Sequence, residues 1–155
     1  EVAGGGTDTV RGLISVSVAG QFIENIILMG ATNINATGQG LENTIYGNAG
    51  NNTLNGGSGN DILIGQGGTD ILIGGTHADT FLFGPGSGLD TINDFSSGQG
   101  DLININAYTH GVVGGGGVTI TQVGADAQIN LGGGNIVTVI GANASAPAFL
   151  SHIVW

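Results

Sequence analysis

Residues 38–82 repeat one nine-residue unit five times in register: GQGLENTIY, GNAGNNTLN, GGSGNDILI, GQGGTDILI and GGTHADTFL. The first position is glycine in every copy. The sixth is always Asx (Asn43, Asn52, Asp61, Asp70, Asp79), and the eighth is a large apolar residue (Ile45, Leu54, Leu63, Leu72, Phe81). A fixed short period confines a chain to a stacked solenoid, in which each unit contacts only its neighbours. Glycine allows the first half of each unit to turn tightly. The last three residues, such as Ile62-Leu63-Ile64, are apolar and too few for a helix. They form a short strand whose middle side chain points opposite to its neighbours. Two units then complete a coil of 18 residues, with units n and n+2 directly above one another. A flexible Gly/Asn-rich linker has no reason to place an aliphatic residue at every ninth position.

This stacking sets the sixth-position side chains face to face: Asp61 with Asp79 on one side, Asn52 with Asp70 on the other, and Asn43 with Asp61 below. Stacked carboxylates with no lysine or arginine nearby repel. A hard cation taking six to eight oxygens at about 2.3–2.6 Å removes the repulsion, and calcium is the expected one. The expected companion oxygens are turn carbonyls, at Gly56, Gly57, Gly59, Gly65, Gly68 and Gly74. Asparagine brings a neutral carbonyl instead of a charge, so Asn43 and Asn52 should make weaker or merely structural sites. His77 stands where the fourth-position glycine belongs. It is expected to be a turn residue in the left-handed region rather than a ligand, since oxygen-rich calcium sites do not favour imidazole.

The tract resembles the repeat-in-toxin (RTX) calcium-binding nonapeptide GGxGxDxUx, the parallel β-roll repeat of secreted bacterial proteins. The resemblance implies an all-β fold, a right-handed parallel β-roll or β-solenoid. Metal-free coils are expected over residues 1–37, the calcium roll and its closing segment over 38–106, and a C-terminal antiparallel cap over 107–155.

Upstream, AGGGTDTVR fits one more unit, with Gly6, Asp8 and Val10 at the fourth, sixth and eighth positions. Asp8 either belongs to an earlier roll or caps this one. Ile14, Val16 and Val18 alternate with serines, as a half-buried strand does. FIENIILMGATNINATG resembles the segment that often precedes RTX rolls, and Ile26, Leu28, Ile34 and Ala36 should continue the inward ladder. Residues 13–37 contain no aspartate, hence the expectation of metal-free coils there. Downstream, Phe83-Gly84 breaks the period, and Gly86, Gly88, Asp90 and Ile92 resume it shifted by two. The stretch to Asn106 resembles the RTX closing segment DTIxDFxxGxGDxIDL. That resemblance implies Asp94 and Asp101 as ligands of the last site, with Asp90 in the preceding turn; the alternative is that they bond local N–H groups. Residues 118–140 read as a three-stranded antiparallel meander with GAD and GGGN turns, closing an end that would otherwise expose backbone edges. The tail SAPAFLSHIVW resembles the hydrophobic RTX C-terminus that carries the type I secretion signal, and can equally supply a final strand or helix packed on the meander. His110 and His152 have no partner pattern.

The formal charge is −10 with Arg11 the only Lys/Arg residue. This excludes a phosphate-tracking nucleic-acid surface and a basic membrane face. Cysteine is absent, which is compatible with export. No stretch reads as a signal peptide or membrane span. The chain opens on Glu1 in mid-pattern and is expected to be a piece of a longer protein. The apolar fraction of 40% argues against disorder.

The seventh and ninth positions of two units are Ile62, Ile64, Ile71 and Ile73. They should point outward, one pair on each face with Leu82 extending one of them, and exposed apolar stripes mark contact surfaces. At least one face is expected to be covered, by flanking segments or by another copy. The functional expectation is a secreted, extracellular or cell-surface calcium module that passes a type I exporter transiently and folds outside. A self-assembling building block of an S-layer or filament is the alternative, and a carbohydrate-binding accessory has least support, for want of an aromatic platform. Catalysis is not expected, because the acids sit in turns that the repeat already explains; any activity would belong to a part not in this chain.

Overall fold

The computed structural model describes residues 5–109 and 117–155. His110 and the first two residues of AGGGTDTVR, Ala3 and Gly4, lie outside them. The protein is an all-β parallel solenoid of two sheets. The first has the order β1(Thr9–Gly12)-β3(Asn25–Leu28)-β5(Thr44–Tyr46)-β7(Ile62–Ile64)-β9(Thr80–Leu82)-β11(Leu102–Asn104)-β15(Ile153–Val154). The second has the order β12(Thr119–Val123)-β13(Asp126–Gly132)-β14(Asn135–Val139)-β10(Leu89–Ile92)-β8(Ile71–Thr76)-β6(Thr53–Ser58)-β4(Ala36–Gln39)-β2(Val16–Ser17). Odd and even strands of the roll thus alternate between the sheets. Two four-residue helices, α1(Asn106–Thr109) and α2(Pro147–Leu150), interrupt the pattern.

The register is the one that the nine-residue period requires. Ile45 pairs with Leu63 and Leu63 with Phe81 in one sheet, and Ala36 with Leu54 and Leu54 with Leu72 in the other. These side chains are all buried, and each of them but Ala36 contributes on the order of 1.5–3 kcal/mol by leaving water. The ladder extends upstream through Ile26, Leu28, Ile34 and Ala36 as expected. Leu72 faces Ile92, so the two-residue shift at Phe83-Gly84 widens one turn and leaves the core in phase. Phe83 itself turns inward and is buried.

The first unit stacks: Val10 pairs with Ile26, and the Asp8 N–H donates to Glu24 Oε2 at 2.8 Å. One expectation fails nearby. Ile14 does not alternate inward with Val16 and Val18 but is 74% exposed. The chain is still crossing between sheets at residues 13–15, and the strand begins only at Val16.

At the other end β12, β13 and β14 form the expected antiparallel meander. β14 lies parallel to β10, Ile92 facing Val139, so the meander prolongs the second sheet edge to edge. The tail passes beyond the meander. After α2 it adds β15 to β11, with Ile103 facing Ile153, while Phe149 meets Phe95 edge-on at 5.5 Å.

Candidate metal centre

Each sixth-position residue immediately precedes a strand, where the turn delivers it inward beneath the next coil. On the first-sheet side the Asn43 N–H donates to Asp61 Oδ1 at 2.7 Å, the Asp61 N–H to Asp79 Oδ1 at 2.9 Å, and the Asp79 N–H to Asp101 Oδ1 at 3.0 Å. On the second-sheet side Asn52 donates to Asp70 Oδ1 at 2.8 Å and Asp70 to Asp90 Oδ1 at 3.0 Å. Two carboxylate ladders therefore run up the roll, one rung per coil. The pairs are those read from the spacing.

Within the ladders one oxygen of each aspartate except Asp101 is spoken for and the other is not. The Oδ2 atoms of Asp61, Asp70, Asp79 and Asp90 are buried and have no hydrogen-bond partner, in side chains at most 2% exposed. A buried unpartnered carboxylate oxygen costs several kcal/mol unless neutralised. Burial accordingly pushes the carboxyl pKa up from 3.8 to about 7 for Asp61 and Asp90 and to about 6 for Asp70 and Asp79. Backbone N–H bonds oppose that rise, and the neighbouring Asp79 and Glu42 add to it at Asp61. Asp101 is also raised, chiefly by burial.

The glycines explain themselves by space. A Cβ on Gly56, Gly65 or Gly74 would overlap Oδ2 of Asp61, Asp70 or Asp79 respectively. The first position is thus kept bare where the unpartnered oxygen points. Turn carbonyls crowd the same region: Gly56 O lies against Gly38, Gly65 O against Gly47, Gly57 O against Gly75, and Gly68 O against Gly88. Gly57, Gly59 and Gly68 also have positive φ of 106°, 111° and 118°, which the turn needs. Among the described residues no group of three or more His, Cys, Asp or Glu side chains could hold a metal ion. The donor set is instead single carboxylates with backbone carbonyls, all hard oxygens, which fits calcium and does not fit zinc.

The remaining sequence candidates are placed differently. Asn43 Oδ1 accepts from Gln39 N–H at 3.0 Å while its Nδ2 donates to Ile23 O at 2.7 Å. Asn52 Oδ1 accepts from Asn48 N–H at 2.8 Å and its Nδ2 donates to Ile34 O at 2.7 Å. Both oxygens of Asp94 accept, from Gly74 N–H at 3.0 Å and Gly75 N–H at 2.8 Å. Asp101 Oδ2 accepts from Ser96 N–H at 2.8 Å. His77 has φ 87°, inside the left-handed region, and its Nδ1 is 2.8 Å from Thr76 O.

Sequence reasoning missed three participants. Asn135 Oδ1 accepts from Gly88 N–H at 2.9 Å, two residues before Asp90, whose own register partner in the meander is Val137; only a GGGN turn hinted at Asn135. Ser96 acts through its backbone N–H, which leaves no mark in side-chain chemistry, and Asn48 through both its N–H and its Oδ1. The four isoleucines do point outward, Ile62 and Ile64 on one face and Ile71 and Ile73 on the other. Ile62 is 39% and Ile71 44% exposed, with Ile64 and Ile73 half-buried. On the first face Ile27, Tyr46 and Ile64 are in register, and Ile64 and Leu82 line a groove of about 380 Å³ with Pro85.

A parallel solenoid with buried, unpartnered carboxylate oxygens between glycine turns defines a calcium-binding β-roll. Residues 37–72 and 56–92 match the family described as RTX calcium-binding nonapeptide repeat. The tract is an RTX β-roll, and its repeats bind calcium. A search of curated proteins found no match to the chain.

Proposed function

We propose that this chain is the calcium-dependent structural module of a secreted bacterial protein, folding after type I export. The observation that carries the reading is the set of unpartnered Oδ2 atoms on Asp61, Asp70, Asp79 and Asp90. With the surrounding turn carbonyls of Gly56, Gly57, Gly59, Gly65, Gly68 and Gly74 they would hold the ions. Calcium supplies the positive charge that a chain with one arginine and a net charge of −10 lacks. Where calcium is scarce, as in a bacterial cytoplasm, like-charge repulsion and desolvation oppose the stacked state. Where it is abundant, metal-binding free energy becomes folding free energy. A chain that stays unfolded until it meets calcium is one that can be threaded through an exporter. The absence of cysteine and the apolar tail support this reading. No helix among the described residues is long and apolar enough to cross a membrane. The division into N-terminal coils, calcium roll and C-terminal cap within one domain belongs to the same proposal.

A second reading, a self-assembling extracellular building block, is favoured by one observation. Ile62 and Ile71 remain exposed on opposite faces, and the flanking strands join the sheets at their edges, so another copy could cover these faces.

Titrating calcium into EDTA-stripped protein, followed by circular dichroism and sedimentation velocity, tests both readings. A disordered monomer that gains β structure and stays monomeric supports the export-and-fold module. Calcium-driven growth into large species supports the building block, and no response to calcium removes both.

A further inference from the structure

The two ladders are closed at three of their four ends by side chains that need no ion. At the lower end stand Asn43 and Asn52. An amide differs from a carboxylate in having a donor. Asn52 Nδ2 faces Ile34 O at 2.7 Å and Asn48 Oδ1 at 3.1 Å, and Asn43 Nδ2 faces Ile23 O at 2.7 Å and Glu24 O at 3.3 Å. Beneath these two rungs the preceding coil therefore offers acceptors, whereas Asn43, Asn52, Asp61, Asp70 and Asp79 each offer a backbone N–H to the carboxylate above. An aspartate at position 43 or 52 would set oxygen against oxygen; the amide proton does there what a cation must do elsewhere. At the upper end of the first ladder, Asp101 has both oxygens in N–H bonds, from Asp79 and Ser96; the second ladder ends at Asp90 itself, opposite Val137 of the meander. Asp94 likewise spends both oxygens on Gly74 and Gly75 N–H. Among the described residues the rungs that keep a buried oxygen without a partner are Asp61 and Asp79 in one ladder and Asp70 and Asp90 in the other.

We infer that calcium is confined to these four rungs, and that Asn43, Asn52, Asp94 and Asp101 are hydrogen-bonded caps instead of ligands. This rests on the calcium-binding reading above and narrows the ligand set implied by the sequence. The caps limit each ladder to a fixed number of ions and join the roll to coils that carry none. Asparagine at the boundary is then a specificity-determining residue: it decides that the turn it closes takes no metal.

The experiment is calcium stoichiometry of the full chain by native mass spectrometry, titrated with calcium chloride alone. The wild type should bind no more than four ions, the number of unpartnered Oδ2 atoms. Asn52→Asp should bind one more than the wild type, because the new carboxylate meets Ile34 O and Asn48 Oδ1 with no proton to share. Asp70→Asn should bind fewer. Wild-type binding of more than four ions, or an unchanged count in Asn52→Asp, overturns the inference while leaving the calcium reading intact. If Asn52→Asp does not fold, the wild-type count still decides. No calcium bound by the wild type at all is the separate failure of the calcium reading itself.

Discussion

Asn52 and Asp70 occupy the same position in consecutive coils of one ladder, 18 residues apart, and their surroundings differ by one proton. The Asn52 side chain has its oxygen bonded by Asn48 N–H and its nitrogen bonded to Ile34 O. Asp70 has Oδ1 bonded by Asn52 N–H and Oδ2 bonded by nothing. A carboxylate only accepts, and a turn built of glycine carbonyls only accepts as well. An amide can close such a turn unaided; a carboxylate cannot without a cation or a proton. The coils below Asn52 are therefore complete as polypeptide, and those above it are complete only when charge is supplied.

That contrast is broken or sharpened most strongly by pH. In the metal-free fold the carboxyls of Asp61, Asp70, Asp79 and Asp90 titrate at about 6 to 7 instead of 3.8, chiefly through burial. A group whose pKa is raised by folding gives its stability in full below the unfolded value, and loses it as pH climbs through the folded value. Chelated protein should thus hold more β structure near pH 5 than near pH 8, with the loss concentrated between about pH 4 and 7. Protons here stand in for the ion, so calcium should restore the fold at the alkaline end. Far-ultraviolet circular dichroism with hydrogen exchange reads both. Protection, corrected for the base-catalysed rise of intrinsic exchange, should fall with pH in β7 to β10 and change little in β3 and β4. Equal loss in both regions would dissolve the distinction between amide and carboxylate coils.

The period made most of the fold legible, because glycine, Asx and an aliphatic residue at fixed spacing fix turn, rung and core at once. The register of Leu63 on Phe81, the outward isoleucines and the shift at Phe83-Gly84 all follow from counting. Ile14 did not follow, since alternation cannot show where a chain leaves one sheet for the other. The partition of the site was half legible. Asparagine was recognisable as a weaker charge, but its donor matters only when the preceding coil presents a carbonyl, and backbone polarity is not written in side chains. Asn135 was illegible for a related reason: it reaches Gly88 across 47 residues, through a meander outside the repeat.

A smaller effect separates the glycines of the two regions. Gly74 packs under Asp79, and an added Cβ would collide with its Oδ2 and stand 2.8 Å from its Cγ. Gly40, in the asparagine-closed part, has nothing within 4 Å of an added Cβ. Gly74→Ala should displace the carboxylate at a cost of about 1–3 kcal/mol, the range for overpacking. Isothermal titration should show that as a calcium affinity weakened about tenfold or more. Gly40→Ala should leave stability and affinity within about 0.5 kcal/mol of the wild type. Equal tolerance at both positions would mean that the space beside Oδ2 is not reserved.

The smallest effect is expected at His77, the one repeat position where an imidazole lies close to the ladder without joining it. Its φ of 87° costs a non-glycine residue roughly 1–2 kcal/mol. Glycine would release that strain, while its freer unfolded chain would take back about 0.4–1 kcal/mol. The Gly59 N–H that lies 3.3 Å from His77 Nδ1 also donates to Thr76 O at 3.1 Å, so no donor is orphaned by removing the ring. The backbone N–H of residue 77 keeps its bond to Gln99 Oε1 at 2.7 Å. His77→Gly should therefore raise stability by about 1 kcal/mol or less and leave the number of bound calcium ions unchanged. Chemical denaturation and native mass spectrometry measure the two. A lost ion would make the imidazole a ligand and would move the boundary between ion-filled and self-closed turns away from the carboxylates.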